Sequence, residues 1–313
     1  MKVCVASRSF SRHPVLRDEL LARYEDVTFN DQGISLKDQD LIDFVHGHSH
    51  AITALEKLDS DFFAALPDLK VVSKYGVGYD MIDLRAMQQS GVSLGWTGGT
   101  NKRSVSELVV ACAINMLRHI PVLDRDVKSG QWQQIKGRQL SHKTVGIVGF
   151  GHVGKDLALI LKAFGCTVLA HDILDFNDFC NHHGFRQTGL DDLLQTSDIV
   201  TLHLPLDDST RLIIREQQLN QMKAGSFLIN AARGGLVDET ALKAALQSGH
   251  LAAAAFDVFS SEPPEDMDLI HHPRFLVTPH IGGSTDEAIL AMGRAAIDGL
   301  ENNRIPEPGT FPK

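Results

Sequence analysis

Cysteine is scarce in this chain: four in 313 residues, at positions 4, 112, 166 and 180, with no two in C-x-x-C spacing. That argues against a disulfide framework or a thiol-built metal centre, and it is the usage expected of reduced thiols in a cytoplasmic protein. No apolar run approaches the ~20 residues of a membrane helix. No secretory apolar segment follows the strand-like start Met1-Lys-Val-Cys-Val-Ala. Runs of Lys and Arg are missing too, and the formal net charge is −9. Nucleic acid and acidic membrane surfaces are therefore not expected partners. What remains is ordinary globular content, 43% hydrophobic and 22% charged residues, over a length that suggests about two domains.

Against that background one stretch stands out, Thr144-Val-Gly-Ile-Val-Gly149-Phe-Gly151-His-Val-Gly154. A β-branched apolar run leads into G-x-G-x-x-G. An apolar helix pattern follows (Leu157, Leu159, Ile160, Leu161, Phe164), and then a second β-rich run, Val168-Leu-Ala-His-Asp172. The order carries more weight than the glycines alone. Gly149 permits a tight turn, Gly151 lets backbone approach a pyrophosphate, and Gly154 lets helix close on strand. The helix N-terminus, from His152 and Val153, then offers unpaired N–H groups to the phosphates. Asp172 lies 18 residues beyond Gly154, close to the roughly twenty expected of the carboxylate that takes the adenosine ribose hydroxyls. A carboxylate repels the 2′-phosphate of NADP, and no cation follows Asp172 until Arg186. The expected cofactor is NAD.

Two α/β units are predicted. In the first, strands near Lys2–Ala6, Val27–Phe29, Ala51–Thr53, Val71–Ser73 and Val92–Leu94 alternate with helices, which implies a parallel sheet. The glycine-rich stretch Gly95–Asn101 breaks the pattern and marks a crossover. In the second, six strands fit a doubly wound dinucleotide fold: Thr144–Gly149, Thr167–Ala170, Ile199–Leu204, Phe227–Asn230, Ala253–Val258 and Phe275–Thr278. A last helix, Asp286–Leu300, has no strand after it and is expected to cover the first domain. The fold class is thus α/β with two doubly wound parallel-sheet domains, a Rossmann-type cofactor domain and a flavodoxin-like substrate domain, with a cleft between. The expected boundaries are residues 1–100 plus 284–313 for the substrate domain and 101–283 for the NAD domain.

Candidate chemistry sits at the carboxyl ends of the late strands. Asn230 leads into Ala231-Ala232-Arg233-Gly-Gly235, where an Arg can grip a carboxylate or carbonyl with its fork. The next strand ends in Asp257-Val-Phe-Ser-Ser-Glu262-Pro-Pro, and the last in Thr278-Pro279-His280-Ile-Gly282-Gly283. Reversible hydride transfer at a carbinol carbon needs these types: a cation for the substrate and an acid/base His beside a carboxylate.

These motifs resemble the D-isomer-specific 2-hydroxyacid dehydrogenases. So do Lys74-Tyr-Gly-Val77-Gly78-Tyr-Asp80-Met-Ile-Asp-Leu84 and Thr100-Asn-Lys-Arg-Ser-Val-Ser-Glu-Leu108, and the nearest branch is phosphoglycerate-dehydrogenase-like. The resemblance implies that Arg233 holds the substrate, that His280 is the general acid/base and that Glu262 orients it. It implies that backbone at Val77 and Gly78 cradles the substrate carboxylate. His152, Val153, Asp172, Leu204, Ala231, Ala232, Asp257 and Gly282 would line NAD, with Gly149, Gly151 and Gly154. Relatives of this kind pair as homodimers through the cofactor domain, and closure over the cleft would exclude water.

Three departures bear on substrate. Phosphoglycerate enzymes commonly carry Arg in the loop after the third strand, where this chain has Thr53-Ala-Leu-Glu56-Lys57. Gly98 stands where Pro is usual before Gly-Thr-Asn, and no regulatory domain is expected after Gly299. A small 2-keto or 2-hydroxy acid without phosphate is the expected substrate. The alternatives are a true D-3-phosphoglycerate dehydrogenase and an NAD-sensing corepressor-type protein on the same fold. Formate-dehydrogenase relatives pair the His with Gln, whereas Glu262 stands here. His46-Gly-His48-Ser-His50 spans a helix end and a strand start, so its rings diverge and no metal is expected.

Overall fold

The computed structural model describes residues 1–309. The chain divides into two compact units. One comprises Met1–Asn101 with the described residues from Thr285 onward, the other Lys102–Ser284.

The first unit is built on β1 (Lys2–Val5), β2 (Asp26–Phe29), β3 (His50–Thr53), β4 (Val71–Lys74) and β5 (Ser93–Gly95). Their order in the sheet is β2-β1-β3-β4-β5, every neighbouring pair parallel, the flavodoxin-like arrangement. Alternation along β1 explains two cores. Cys4 faces one with Leu41, Phe62 and Met87, while Val3 and Val5 face another with Phe10, Leu16 and Leu20. The helix Asp286–Gly299 packs on β4, β5 and the helix Pro14–Leu21, and Ser73 Oγ donates to the Ala296 carbonyl at 2.6 Å.

The second unit holds β6 (Thr144–Val148), β7 (Thr167–His171), β8 (Arg186–Gln187), β9 (Ile199–Leu202), β10 (Ser226–Asn230), β11 (Leu251–Phe256) and β12 (Phe275–Val277). The order is β12-β11-β10-β9-β6-β7-β8, again parallel throughout. Seven strands replace the expected six: β8, two polar residues long, pairs with β7 at the sheet edge. Such a strand has no hydrophobic run for a sequence reading to detect. Direction of winding reverses between β6 and β9, the switch point at which open sheets of this kind bind ligands.

Both faces of that sheet are covered. Ile147, Ile199, Phe227 and Ile229 meet the helices Lys102–Arg118 and His152–Ala163, while Val148, Val200, Leu202 and Leu228 meet the opposite layer. Burying each such side chain contributes about 1.5–3 kcal/mol. Strands buried on both faces can present chemistry only where they end, and that restricts the site to the loops at their carboxyl edge. Among the described residues no single helix is long and apolar enough to cross a membrane.

Candidate active site

β6 delivers the chain to Gly149, whose φ of +95° lies where L side chains rarely go. A Cβ there would stand 2.5 Å from the His203 carbonyl oxygen, and one at Gly154 would stand 2.3 Å from the Gly149 carbonyl oxygen. Backbone thus packs on backbone on the inner side of the turn. At Gly151 a Cβ would meet nothing within 4 Å, so the outer side is open. Gly151 caps the helix His152–Ala163 without a side chain, leaving its first N–H groups, among them those of His152 and Val153, unpaired within the helix. An open concavity of N–H groups at a positive helix end fits a pyrophosphate.

Between these glycines Phe150 turns inward. It is fully buried and packs against Phe176, Phe179 and Phe185 at centroid distances of 6.0, 5.9 and 6.4 Å. Its N–H donates to Asp172 Oδ2 at 2.7 Å, and the Leu174 N–H donates to Oδ1 at 2.9 Å. Asp172, directly after β7, is therefore held in place by backbone. The nearest downstream cation, Arg186, is committed to Asp192 at 3.0 Å. No described cation thus accompanies Asp172 along this stretch to offset its charge.

Leu204 follows His203 in the turn after β9, which crosses directly beneath Gly149. The His203 ring meets Thr201 Oγ1 at 3.0 Å, and burial pushes its imidazole down to about 3, so it stays neutral. Sequence reasoning extended β9 to Leu204; the strand ends at Leu202 because the chain must turn there to meet the glycine loop.

After β10, Asn230 braces the turn that carries Arg233. Its side chain is buried, its Nδ2 donates to the Arg233 carbonyl at 2.9 Å, and its Oδ1 accepts from the Ala232 N–H at 3.2 Å. Arg233 Nη1 donates to the Ala232 carbonyl at 2.7 Å. Ala231 and Ala232 pack against opposite cores of the sheet. Gly234 admits no side chain, since a Cβ would sit 1.8 Å from the Phe259 carbonyl oxygen. The Arg233 turn is therefore pressed onto the loop after β11, and Phe259 in that loop donates its N–H to Glu262 Oε1 at 3.1 Å.

The other oxygen of Glu262, Oε2, lies 2.9 Å from His280 Nδ1. This contact joins two of the three candidate catalytic side chains, and both members remain partly open to solvent. His280 has a φ of +54°, a left-handed conformation costing a non-glycine residue about 1–3 kcal/mol. The turn is held in that shape by Asp257, itself 3% exposed. Oδ1 accepts the Thr278 hydroxyl at 2.5 Å and the Ile281 N–H at 2.8 Å, Oδ2 accepts the Gly282 N–H at 2.7 Å, and the main-chain carbonyl accepts the His280 N–H at 2.9 Å. Asp257 and Gly282, expected beside the cofactor, are bound to each other.

In the first unit Val77 and Gly78 lie in the turn after β4. Trp96 donates its indole N–H to the Val77 carbonyl at 2.9 Å and meets Tyr79 edge-on. Sequence reasoning missed Lys74 here. It is 4% exposed, its Nζ bonds the Tyr75 carbonyl at 3.2 Å, and a Cβ on Gly76 would stand 3.3 Å from it. A Lys ending the strand Val71-Val72-Ser73-Lys74, which carries no other charge, was the signal. His46, His48 and His50 hold separate places: His48 bonds Val45 and Thr28, and His50 bonds Ser49.

A family model for the NAD-binding domain of D-isomer specific 2-hydroxyacid dehydrogenases matches residues 110–282. This chain belongs to that family. A D-3-phosphoglycerate dehydrogenase of Bacillus subtilis is 38% identical over 241 residues, 76% of this chain and 46% of that protein. The chain thus spans about half the length of the curated relatives it matches. Among solved structures, a glyoxylate reductase of Paecilomyes thermophila is 26% identical with a TM-score of 0.86, covering 95% of this chain and 93% of that one. A D-lactate dehydrogenase of Aquifex aeolicus, complexed with NAD and lactic acid, is 25% identical with a TM-score of 0.84, covering 95% and 93%. The Lys102–Ser284 unit is the family's NAD-binding domain, and its switch-point loop has the shape that group requires.

Phe150 ties the glycine loop to the aromatic core, so Phe150→Ala should cost about 3–5 kcal/mol of unfolding free energy. It should also weaken NADH binding in fluorescence titrations. A urea midpoint and an NADH affinity both unchanged from the parent would show that the loop does not depend on this anchor.

Proposed function

We propose that the chain interconverts a D-2-hydroxy acid and its 2-keto acid with NAD as hydride carrier. The observation that carries this reading is the His280 Nδ1 to Glu262 Oε2 contact of 2.9 Å at the carboxyl edge of the cofactor sheet. With Nδ1–H directed at the carboxylate, Nε2 is the nitrogen able to exchange a proton with substrate. When bound, NADH supplies hydride to the carbonyl carbon. His280 delivers the proton to the carbonyl oxygen, Glu262 stabilises the imidazolium, and Arg233 holds the carboxylate and polarises the carbonyl. Unit one is proposed as the substrate domain, with the Val77 and Gly78 backbone recognising the carboxylate.

His280→Ala should lower turnover by ~10²–10⁴-fold while leaving NADH binding nearly intact. In Glu262→Gln His280 loses its anionic partner, so turnover should fall while NADH affinity is kept. A turnover equal to the parent's would uncouple Glu262 from the proton transfer.

We also propose NAD over NADP and an unphosphorylated substrate. Asp172 supports the first. The second rests on the loop after β3: Glu56 turns back onto the Ala54 N–H at 2.5 Å, and Lys57 is drawn to Asp59 at 2.9 Å. The loop's single cation is thus engaged with a carboxylate and stands beside a second one, Glu56, a setting that disfavours a phosphate. Glyoxylate, hydroxypyruvate or a branched-chain keto acid should then show a higher kcat/KM than 3-phosphohydroxypyruvate, and NADH should surpass NADPH. The reverse order in steady-state kinetics would make the enzyme a phosphoglycerate dehydrogenase.

A homodimer in the cytoplasm completes the proposal. The four cysteines are free thiols. The helix Ile120–Lys128 buries none of its residues, and Trp132 is 82% exposed beside Val127 and Ile135. Asp124, Arg125, Asp126 and Lys128 set both signs of charge on the same helix, which lets the patch complement its own copy across a two-fold axis. Trp132→Ser should halve the mass seen by light scattering; a parent that already runs as a single chain would dispose of the dimer.

A further inference from the structure

The turn that carries His280 is fastened on one side by Asp257, which takes the N–H groups of His280, Ile281 and Gly282 and the Thr278 hydroxyl. Its other side is fastened by a different element. Ser104, in the first turn of the helix Lys102–Arg118, donates its hydroxyl to the Gly282 carbonyl at 2.6 Å. Both residues are buried, Ser104 being 8% exposed. Serine near a helix start commonly serves its own helix, bonding backbone within a few residues. Here the hydroxyl reaches across 178 residues of sequence to the catalytic loop. Ser104 and Gly282 also stand within two residues of the ends of their unit, Lys102 and Ser284, so one hydrogen bond joins the two points at which the chain enters and leaves it.

We propose that Ser104 is a positioning residue for His280, holding the imidazole against Glu262 through the Gly282 carbonyl. The inference rests on the reading of His280 as the proton carrier. Without the hydroxyl the buried Gly282 carbonyl loses its partner, and such a group reorients toward water when it can. That carbonyl lies in the peptide between Gly282 and Gly283, and once it turns the His280 segment keeps only its bonds to Asp257. His280 holds a backbone conformation that persists only while its surroundings impose it. With one of its two anchors gone the turn loosens, and His280 gains conformations of negative φ in which its ring departs from Glu262. The loop of pyrophosphate-binding glycines lies on other strands and is untouched.

Three proteins test this: the parent, Ser104→Ala and Ser104→Thr, each assayed for 2-keto-acid reduction, NADH affinity by fluorescence and hydrogen exchange of the peptide covering residues 278–284. In Ser104→Ala, kcat should fall by at least about tenfold while NADH affinity stays within about threefold, the pattern of a defect in the chemical step. Exchange in the 278–284 peptide should accelerate while the glycine-loop peptide does not change. Ser104→Thr, which keeps the hydroxyl, should restore both readings. Should Ser104→Ala fail to fold, Ser104→Cys fills a similar volume with a poor donor and is held to the same outcomes. A kcat within about twofold of the parent, unchanged exchange in 278–284, or NADH affinity lost in step with kcat would overturn the proposal. If the parent itself reduces no 2-keto acid, the reading of the active site has failed, and the exchange measurement still decides whether Ser104 holds the loop.

Discussion

The candidate catalytic edge depends on a buried carboxylate. Asp257 is almost wholly removed from water, and a bare charge in that position would be prohibitively costly. It is tolerated because its two oxygens accept three short hydrogen bonds, from the Thr278 hydroxyl and the Ile281 and Gly282 N–H groups. All three donors come from one turn, so the group that must be satisfied dictates the shape of the segment satisfying it. The left-handed His280 is the consequence: the residues on either side of it are claimed, and it takes the backbone conformation left over. Stabilisation of a charge is here converted into placement of an imidazole.

The same logic, backbone claimed from both sides, recurs along the sheet edge. Asp172 fixes the Phe150 N–H, the His203 carbonyl crosses beneath Gly149, Asn230 closes the Arg233 turn, and Phe259 presents both its carbonyl to Gly234 and its N–H to Glu262. In two of these places neighbouring loops meet main chain to main chain, His203 against Gly149 and Phe259 against Gly234. Neighbouring strands lie about 4.8 Å apart, and contacts that close are possible only where a side chain is absent.

Most of this was legible before any coordinates. The glycine loop, the alternation of strand and helix, and the acid after β7 follow from patterns whose period is local. Ranking Arg233, Glu262 and His280 together followed from their common place at strand ends, and the 2.9 Å contact joins two of them. Less legible were features whose cause is distant in sequence. β8 exists because β7 offers it an edge, not because Arg186 and Gln187 favour extended backbone. The helix Ile120–Lys128 follows a left-handed His119 and starts on an isoleucine and a proline, with no side-chain cap to announce it. The three donors that satisfy Asp257 lie 21 to 25 residues away, and nothing local to it announces them.

Substrate choice belongs to the same illegible class, for a physical reason. Cofactor recognition uses backbone N–H groups and a helix end, features that a glycine pattern specifies directly. Recognition of the distal part of a keto acid uses side-chain tips on loops, where one ion pair decides whether a cation is free. Lys57 shows the point: it is drawn to Asp59, whose other oxygen caps the helix Ser60–Ala65 through the Phe62 N–H. Lys74 shows the converse, a cation hidden in an apolar strand and held at a carbonyl beside the Val77–Gly78 turn. An exposed ion pair of the first kind is worth at most about 1 kcal/mol and yields readily to a competing anion. A buried ammonium of the second kind is held in place by its surroundings.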